Sequence, residues 1–427
     1  MSTEYIVLKF GGTSQLRSTY EMILKRMYES NKKHVIILSA QSGITNKLLE
    51  YTRTMNNKTL NDIILKTTEL ACSLNVNIDD IIDNFQTQCL NAKTLDDEIN
   101  IVSKGEFFTC HILNRYLCQN KIKSQFVSSL DIICCSLENT SMYNKGEFVV
   151  NPVKIINSLQ IFNVTVVPGF SASTPSNKCC LLGRGGSDTT GSIIASAINA
   201  SVYEIWTDVN GIFSSDPRKI SNTFINPSIN YDAAQEVAAM GAKVIHPYCI
   251  LPCAIKNIPI CIFNTFDPHA QSTVICATNN NNIYGVTMQD NVKLFKISSL
   301  NMWNNYGFVY DIFSVFKEFN VDVNIINTSQ FNITTTTDET DEIKLYAIKK
   351  KLEEKYQVDL KFANSIVSIV GDNIRTIDKI GIIFKLVKNF EIITTSYSSN
   401  DMSLSFVVDS SIAINLTQQL HDTVFIV

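Results

Sequence analysis

No apolar run approaches the ~18 residues that a membrane-crossing helix needs, so nothing in the 427-residue chain predicts a span. Basic excess is missing too. Lys and Arg number 36 against 40 Asp and Glu, a formal charge of −4. Without clustered basic surface there is no nucleic-acid footprint. The chain has no CxxC and no Cys/His cluster, which excludes a zinc-type site despite its 12 cysteines. Cys134–Cys135 and Cys179–Cys180 lie in apolar stretches and are expected as buried free thiols. The five histidines are scattered and offer no ligand set, so no resident metal is expected. No leader is read at the N-terminus, because MSTEYIVLKF runs straight into a strand; the expectation is a soluble cytoplasmic protein.

What is present is enough apolar residue, 45%, for substantial cores, and a length that predicts about two or three domains. The most informative stretch is Gly183–Thr190, GRGGSDTT. An arginine among three glycines precedes a helical pattern over Gly191–Ala200, so a glycine-rich loop opens onto a helix N-terminus. Glycine lets backbone approach a ligand closely, and the Arg184 fork suits a carboxylate or phosphate. Asp188 reads either as a helix cap or as a functional carboxylate.

Ile6–Phe10 is a short apolar strand followed by Gly11–Gly12–Thr13–Ser14 and a helical pattern from Ser18 to Ser30. Strand, glycine turn and helix is how α/β proteins bring phosphate to backbone amides. The spacing is not Walker A, because Lys9 precedes the glycines. A lysine within an apolar strand needs an anionic partner, which makes Lys9 a functional candidate. His34–Ser39 is a second buried-type strand, ending in a polar loop at the sheet edge where ligands bind. Residues 46–103 read as mainly helical. Glu106 opens an amphipathic helix, and two readings stand: a carboxylate serving the helix dipole, or one receiving an ammonium group.

Further strands are expected over Gln125–Ile133, Val164–Pro168, Val202–Trp206 and Pro259–Phe263, with a helix over Ala233–Met240. His246, beside Pro247 in an apolar run, reads as structural. Thr278–Asn282, TNNNN, reads as a linker. Beyond it, strands at Val292–Ser298, Val321–Asn327 and Phe331–Thr337 alternate with helices opening at Gly307 and over Glu342–Tyr356. A similar order recurs from Ile366, with a helix over Ile377–Phe390 and a last one over Ala413–Leu420. That is a tandem βαββαβ-like repeat, a format of small regulatory modules.

Five ordered motifs carry a resemblance: KFGGTS at Lys9–Ser14, SKGE at Ser103–Glu106, LGRGGSDTT at Leu182–Thr190, WTDVNGIFSSDPR at Trp206–Arg218 and MGAKVIHP at Met240–Pro247. Motif for motif, the chain resembles the aspartate kinases of the amino acid kinase superfamily over nearly its whole length. The repeats look like paired ACT domains. SLNMWNNYGF at Ser299–Phe308 and INTS at Ile326–Ser329 are most similar to the monofunctional, lysine-sensitive branch.

The resemblance implies an αβα sandwich with a mainly parallel central sheet over 1–278, a linker over 279–290, and α+β ACT-like modules over 291–365 and 366–427. It implies transfer of the ATP γ-phosphoryl group to the β-carboxylate of L-aspartate, with Mg²⁺ carried by ATP. Lys9 would neutralise phosphate and Asp188 would orient it. Arg184 would clasp the α-carboxylate and Glu106 the α-ammonium, with Ser39 and Thr45 adding hydroxyl contacts. Gly11, Gly12, Thr207, Asp208, Phe213, Arg218, Lys243 and Val244 would line the ATP site. An effector site, with lysine as its expected ligand, would draw on Met302, Asn305, Gly307, Phe308, Val309, Asp322, Val323, Asn324, Thr328 and Ser329. Pairing through the modules would give a homodimer or homotetramer. Phe213 stands where many relatives carry tyrosine, and Asn324 where lysine-sensitive relatives carry aspartate. Two other readings are a kinase of the same superfamily acting on glutamate or a related carboxylate, and an amino-acid sensor with an inactive kinase domain.

Overall fold

The computed structural model describes residues 4–241, 244–277, 283–299, 306–376 and 378–426. The chain divides into two compact units, the first comprising 1–212, 225–235 and 244–278, the second 213–224, 236–243 and 279–427.

The first unit is built on an eight-stranded sheet. Its order is Ser228–Ile229, Thr273–Ile275, Ile260–Asn264, Val202–Thr207, Tyr5–Phe10, Lys33–Leu38, Val164–Pro168, Ser124–Phe126. The six strands from Ile260–Asn264 to Ser124–Phe126 pair in parallel, while Thr273–Ile275 runs antiparallel to Ile260–Asn264 and parallel to Ser228–Ile229. Central strands are apolar at successive positions because both faces are covered. Ile6, Leu8 and Phe10 pack into a cluster with Tyr20, Ile23, Ile112 and Leu113 from helices Arg17–Glu29 and Lys104–Gln119. Val7, Val35 and Ile37 on the other parity are also fully buried, and helix Gly186–Ala197 packs against Tyr5–Phe10. The region 46–103 is helical, in four helices beginning with Ile44–Thr54 and ending with Leu95–Val102. A small sheet of Phe148–Val150, Ile133–Cys135, Ser171–Ser173 and Cys179–Leu181 stands apart from the large one.

The second unit holds a six-stranded sheet ordered Ile326–Thr328, Asn332–Thr337, Ile283–Ser298, Gln357–Gly371, Ser403–Asp409, Ile392–Tyr397. Two long antiparallel strands, Ile283–Ser298 and Gln357–Gly371, run through both halves, with register shifts between Gln289 and Leu294. The half carrying helices Phe308–Glu318 and Glu342–Glu353 has its own core around Phe295, Phe316 and Ile348. The other half packs helices Ile380–Val387 and Ser410–Phe425 on Val367, Leu404 and Phe406.

Several expectations are corrected. Gln125–Ile133 is not one strand. A 3-10 turn, Ser129–Asp131, with Ser129 Oγ 2.8 Å from Ser171 Oγ, breaks it and passes the chain from one sheet to the other. The helix expected at Gly191 begins at Gly186, because left-handed Gly185 (φ 66°) supplies the entry. Gly186 and Gly191 lie inside the helix for close packing: a Cβ would stand 2.8 Å from Phe170 and 2.4 Å from the Tyr203 hydroxyl. Of the linker 279–290, the part from Ile283 onward is strand. The second repeat is not self-contained either. Its fourth strand position is filled by Ile283–Gln289, paired with Ile366–Gly371. Of Val321–Asn327 only the end is strand, within Ile326–Thr328; before it, backbone bonds such as Asn324 N to Thr336 O are interleaved with threonine side chains, Ile325 N donating to Thr336 Oγ1 and Thr335 Oγ1 to Ile325 O. Cys134 is exposed, whereas Cys135, Cys179 and Cys180 are buried. TNNNN and Ile377 lie outside the described residues.

Candidate active site

Tyr5–Phe10 lies between Lys33–Leu38 and Val202–Thr207, all parallel. Their C-terminal ends therefore share one edge, which carries Gly11–Gly12, Ser39–Ala40 and Thr207–Asp208. Val164–Pro168 adds Gly169–Phe170 to it. In open α/β sheets this edge is where ligands sit.

The glycine turn is tightly held. Gly11 N donates to Trp206 O at 3.0 Å and Ser42 N to Gly12 O at 3.0 Å. A Cβ on Gly12 would stand 2.7 Å from Ala40 O. Lys9 is 8% exposed, and its Nζ lies 2.5 Å from Asp188 Oδ1. The contact is an ion pair whose angles fall outside hydrogen-bond geometry. Asp188 is thus no helix cap: it lies in the first turn of Gly186–Ala197, with its backbone carbonyl accepting from the Tyr203 hydroxyl at 2.9 Å. Nζ also stands 3.7 Å from where a Gly11 Cβ would be, so the ammonium faces the glycine turn as well as the carboxylate. It has three donors and Asp188 as its only ion-pair partner among the described residues.

Glu106 sits in the first turn of Lys104–Gln119, 4% exposed. Its Oε2 has no hydrogen-bond partner among the described residues. Burial pushes the carboxyl pKa up to about 8, against the opposing pull of the Ala40 and Glu106 backbone amides and of Lys9. The carboxyl is held mostly neutral, ready to ionise when a cation arrives. Gly105 permits this approach, since a Cβ there would lie 2.6 Å from Ala40 Cβ. Thr109 Oγ1 donates to Ser39 O at 3.1 Å, tying the helix to the strand end. Ser39 and Thr45 are half-buried at the same edge.

Arg184 is exposed between left-handed Gly183 and Gly185 (φ 82° and 66°). Gly185 packs against His246, where a Cβ would come within 2.3 Å of His246 Cβ. His246 keeps its structural reading: its Nδ1 accepts from Tyr248 N at 3.4 Å as a helix cap. Thr207 Oγ1 donates to Asp208 Oδ1 at 3.2 Å, and Asp208 is exposed at the edge. Val244 is half-buried in the turn leading to His246.

Lys9, Asp188, Glu106, Ser39, Thr45, Gly11, Gly12, Arg184, Thr207, Asp208 and Val244 all belong to the first unit. Phe213 and Arg218 belong to the second, where Arg218 is 82% exposed and paired with Asp216 at 2.9 Å. Lys243, Met302 and Asn305 lie outside the described residues. Gly307 (φ 91°) caps helix Phe308–Glu318, and Phe308 and Val323 pack on the same core cluster. Val309, Asp322, Asn324, Thr328 and Ser329 are exposed.

Sequence reasoning missed two features. Phe170 adopts a left-handed backbone (φ 70°), and its amide donates to Thr190 Oγ1 at 3.1 Å. Such strain in a residue with a side chain clusters at functional sites, but nothing in the sequence flags it. Arg26 forks onto Glu204 at 2.7 and 2.6 Å while Trp206 Nε1 donates to the same carboxylate at 2.9 Å. This buttresses the strand behind the turn. Among the described residues no group of three or more His, Cys, Asp or Glu is placed to hold a metal, and no helix is long and apolar enough to cross a membrane.

A glycine turn, a buried lysine and a helix-borne aspartate at one parallel-sheet edge define a class. The profile of the Amino acid kinase family matches residues 4–264, and the chain belongs to that family. Over 99% of its length it is 25% identical to the lysine-sensitive aspartokinase 3 of Escherichia coli strain K12, covering 100% of that relative. Two solved structures share the fold. E. coli aspartokinase III with aspartate and ADP, in its R-state, superposes with a TM-score of 0.85 at 24% identity, over 99% of this chain and 100% of that one. The same enzyme with lysine and aspartate, in its T-state, gives 0.80 at 24% identity over 99% of each chain.

Proposed function

We propose that this chain is an aspartate kinase, transferring the γ-phosphoryl group of ATP to the β-carboxylate of L-aspartate to give 4-phospho-L-aspartate and ADP. One observation carries the reading: a buried Lys9 ammonium, ion-paired to Asp188 and facing the Gly11 turn. Phosphoryl transfer asks chiefly for alignment and charge stabilisation. Lys9 neutralises the phosphate oxygens passing between donor and acceptor, and the Gly11–Gly12 amides cradle them. Asp188 keeps Lys9 aimed. No general base is required, because the acceptor carboxylate is ionised at neutral pH.

Two unmet groups specify an α-amino acid. The buried Glu106 carboxyl has an oxygen without a partner among the described residues, available to an ammonium, and the exposed Arg184 fork suits a carboxylate. Ser39 and Thr45 add hydroxyl contacts. Thr207, Asp208, Phe213, Arg218, Lys243 and Val244 serve the nucleotide, and Mg²⁺ enters on its phosphates. Phe213 in place of tyrosine forgoes one hydrogen bond, about 1 kcal/mol. The second unit supplies two ACT-like modules, 291–365 and 366–427, the latter completed by Ile283–Gln289. Lysine is the proposed effector, with Asp322 offsetting Asn324, and the modules pair into a homodimer or homotetramer. Likeness to the lysine-sensitive aspartokinase supports these assignments.

The test is ADP release with Mg-ATP and a panel of amino acids. Turnover on aspartate alone is expected. Turnover on glutamate instead, or ATP binding without turnover on any amino acid, contradicts the assignment.

A further inference from the structure

The segment Phe213–Phe224 follows the strand Val202–Thr207 in sequence, yet it belongs to the second unit. Helix Ser410–Phe425 grips it there at three points. Ser214 is fully buried. Its Oγ accepts from the Phe224 amide at 3.1 Å and shares a hydrogen bond with His421 Nε2, 2.9 Å away. His421 Nδ1 faces Asp422 Oδ1 at 3.8 Å. Farther along, the Ser221 amide and hydroxyl both donate to Gln418 Oε1, at 2.9 and 3.0 Å. Gln418 Nε2 donates in turn to Asp422 Oδ1 at 2.9 Å. Phe425 meets Phe224 edge-on, ring centroids 5.0 Å apart. A fully buried histidine is an expensive way to fill space, and here it is spent on one serine beside Phe213.

We infer that helix Ser410–Phe425 is a positioning element for the nucleotide, with His421 and Gln418 holding the segment that carries Phe213 and Arg218. The inference rests on the assignment of those two residues to ATP. Neither His421 nor Gln418 touches a reactant; they act through Ser214, next to Phe213, and Ser221, three residues past Arg218.

The test is equilibrium binding of Mg-ATP to the full chain, which needs no turnover. Ser214→Ala and His421→Phe are expected to raise the dissociation constant about fivefold, and Gln418→Ala about threefold, the range of lost neutral hydrogen bonds. His421→Gln, which retains an acceptor, recovers part of the loss. Asn415→Ala, on the exposed side of the same helix, leaves it unchanged. In turnover, KM for ATP follows while KM for aspartate stays within about twofold. Values within about twofold of the unaltered chain for both Ser214→Ala and Gln418→Ala overturn the inference. So does a parallel loss for ATP and aspartate, which would mark a purely structural contact. A chain that binds ATP without phosphorylating aspartate would contradict the kinase reading and leave this one to be judged by the binding data.

Discussion

The buried Glu106 carboxyl should give aspartate use a distinctive pH dependence. Burial raises its pKa to about 8 from an ordinary 4.5. At pH 7 the free enzyme then holds the carboxylate form in about one molecule in ten, a cost of roughly 1.4 kcal/mol to ionise it. An arriving ammonium needs that carboxylate, so kcat/KM for aspartate should climb about tenfold per pH unit below 8 and level off above it. The same shift acts on stability with a fixed sign. Between pH 4.5 and 8 the folded chain retains a proton that the unfolded chain has lost, so stability is full below that window and declines as pH rises through it. The ceiling on this loss is about 5 kcal/mol. Glu106→Gln removes both effects. Above pH 8 the variant should be more stable than the unaltered chain, and its kcat/KM for aspartate should be lower by about tenfold or more, a charged hydrogen bond being worth roughly 1.5–3 kcal/mol. Initial rates at limiting aspartate between pH 6 and 8.5, with melting curves at the same values, make the check. A flat kcat/KM profile in the unaltered enzyme would refute the reasoning.

Lys9→Met should lower kcat by about 10²–10³ with little change in ATP affinity, read by single-turnover kinetics; a loss confined to KM would contradict the role given to Lys9. Glu204→Gln should cost roughly 2–3 kcal/mol in denaturant titration, less than the ~3–5 of a fully buried pair, because the Arg26 side chain keeps 30% exposure. An unchanged midpoint would show that the Arg26–Glu204–Trp206 buttress is not structural. Asn324→Asp should tighten inhibition by lysine about tenfold or more; a titration in which lysine acts equally on both forms would remove Asn324 from the effector site.

Much of the fold and site was legible because the signals were local. The apolar strand with Lys9, its glycine turn and the amphipathic helix behind Glu106 each follow from periodicity and punctuation. The misreadings arose where tertiary packing overrode propensity. Gly186 read as loop, yet lies in a helix, packed where Phe170 leaves no room for a Cβ. Ile283–Gln289 read as linker because its partner, Ile366–Gly371, is distant in sequence. The threonines of Asn332–Thr337 turned an expected strand partner into an irregular run through side-chain hydrogen bonds. The membership of Phe213–Phe224 in the second unit goes with contacts distant in sequence, such as the Ser214–His421 bond spanning 207 residues, which no local pattern reports.

The most direct test of the central claim is trapping of the product. The purified chain is incubated with Mg-ATP, L-aspartate and hydroxylamine, and hydroxamate and ADP are measured together. Aspartyl hydroxamate formed in step with ADP, and absent when glutamate replaces aspartate, is the result the account predicts. ADP release without hydroxamate, or hydroxamate from glutamate alone, would contradict it.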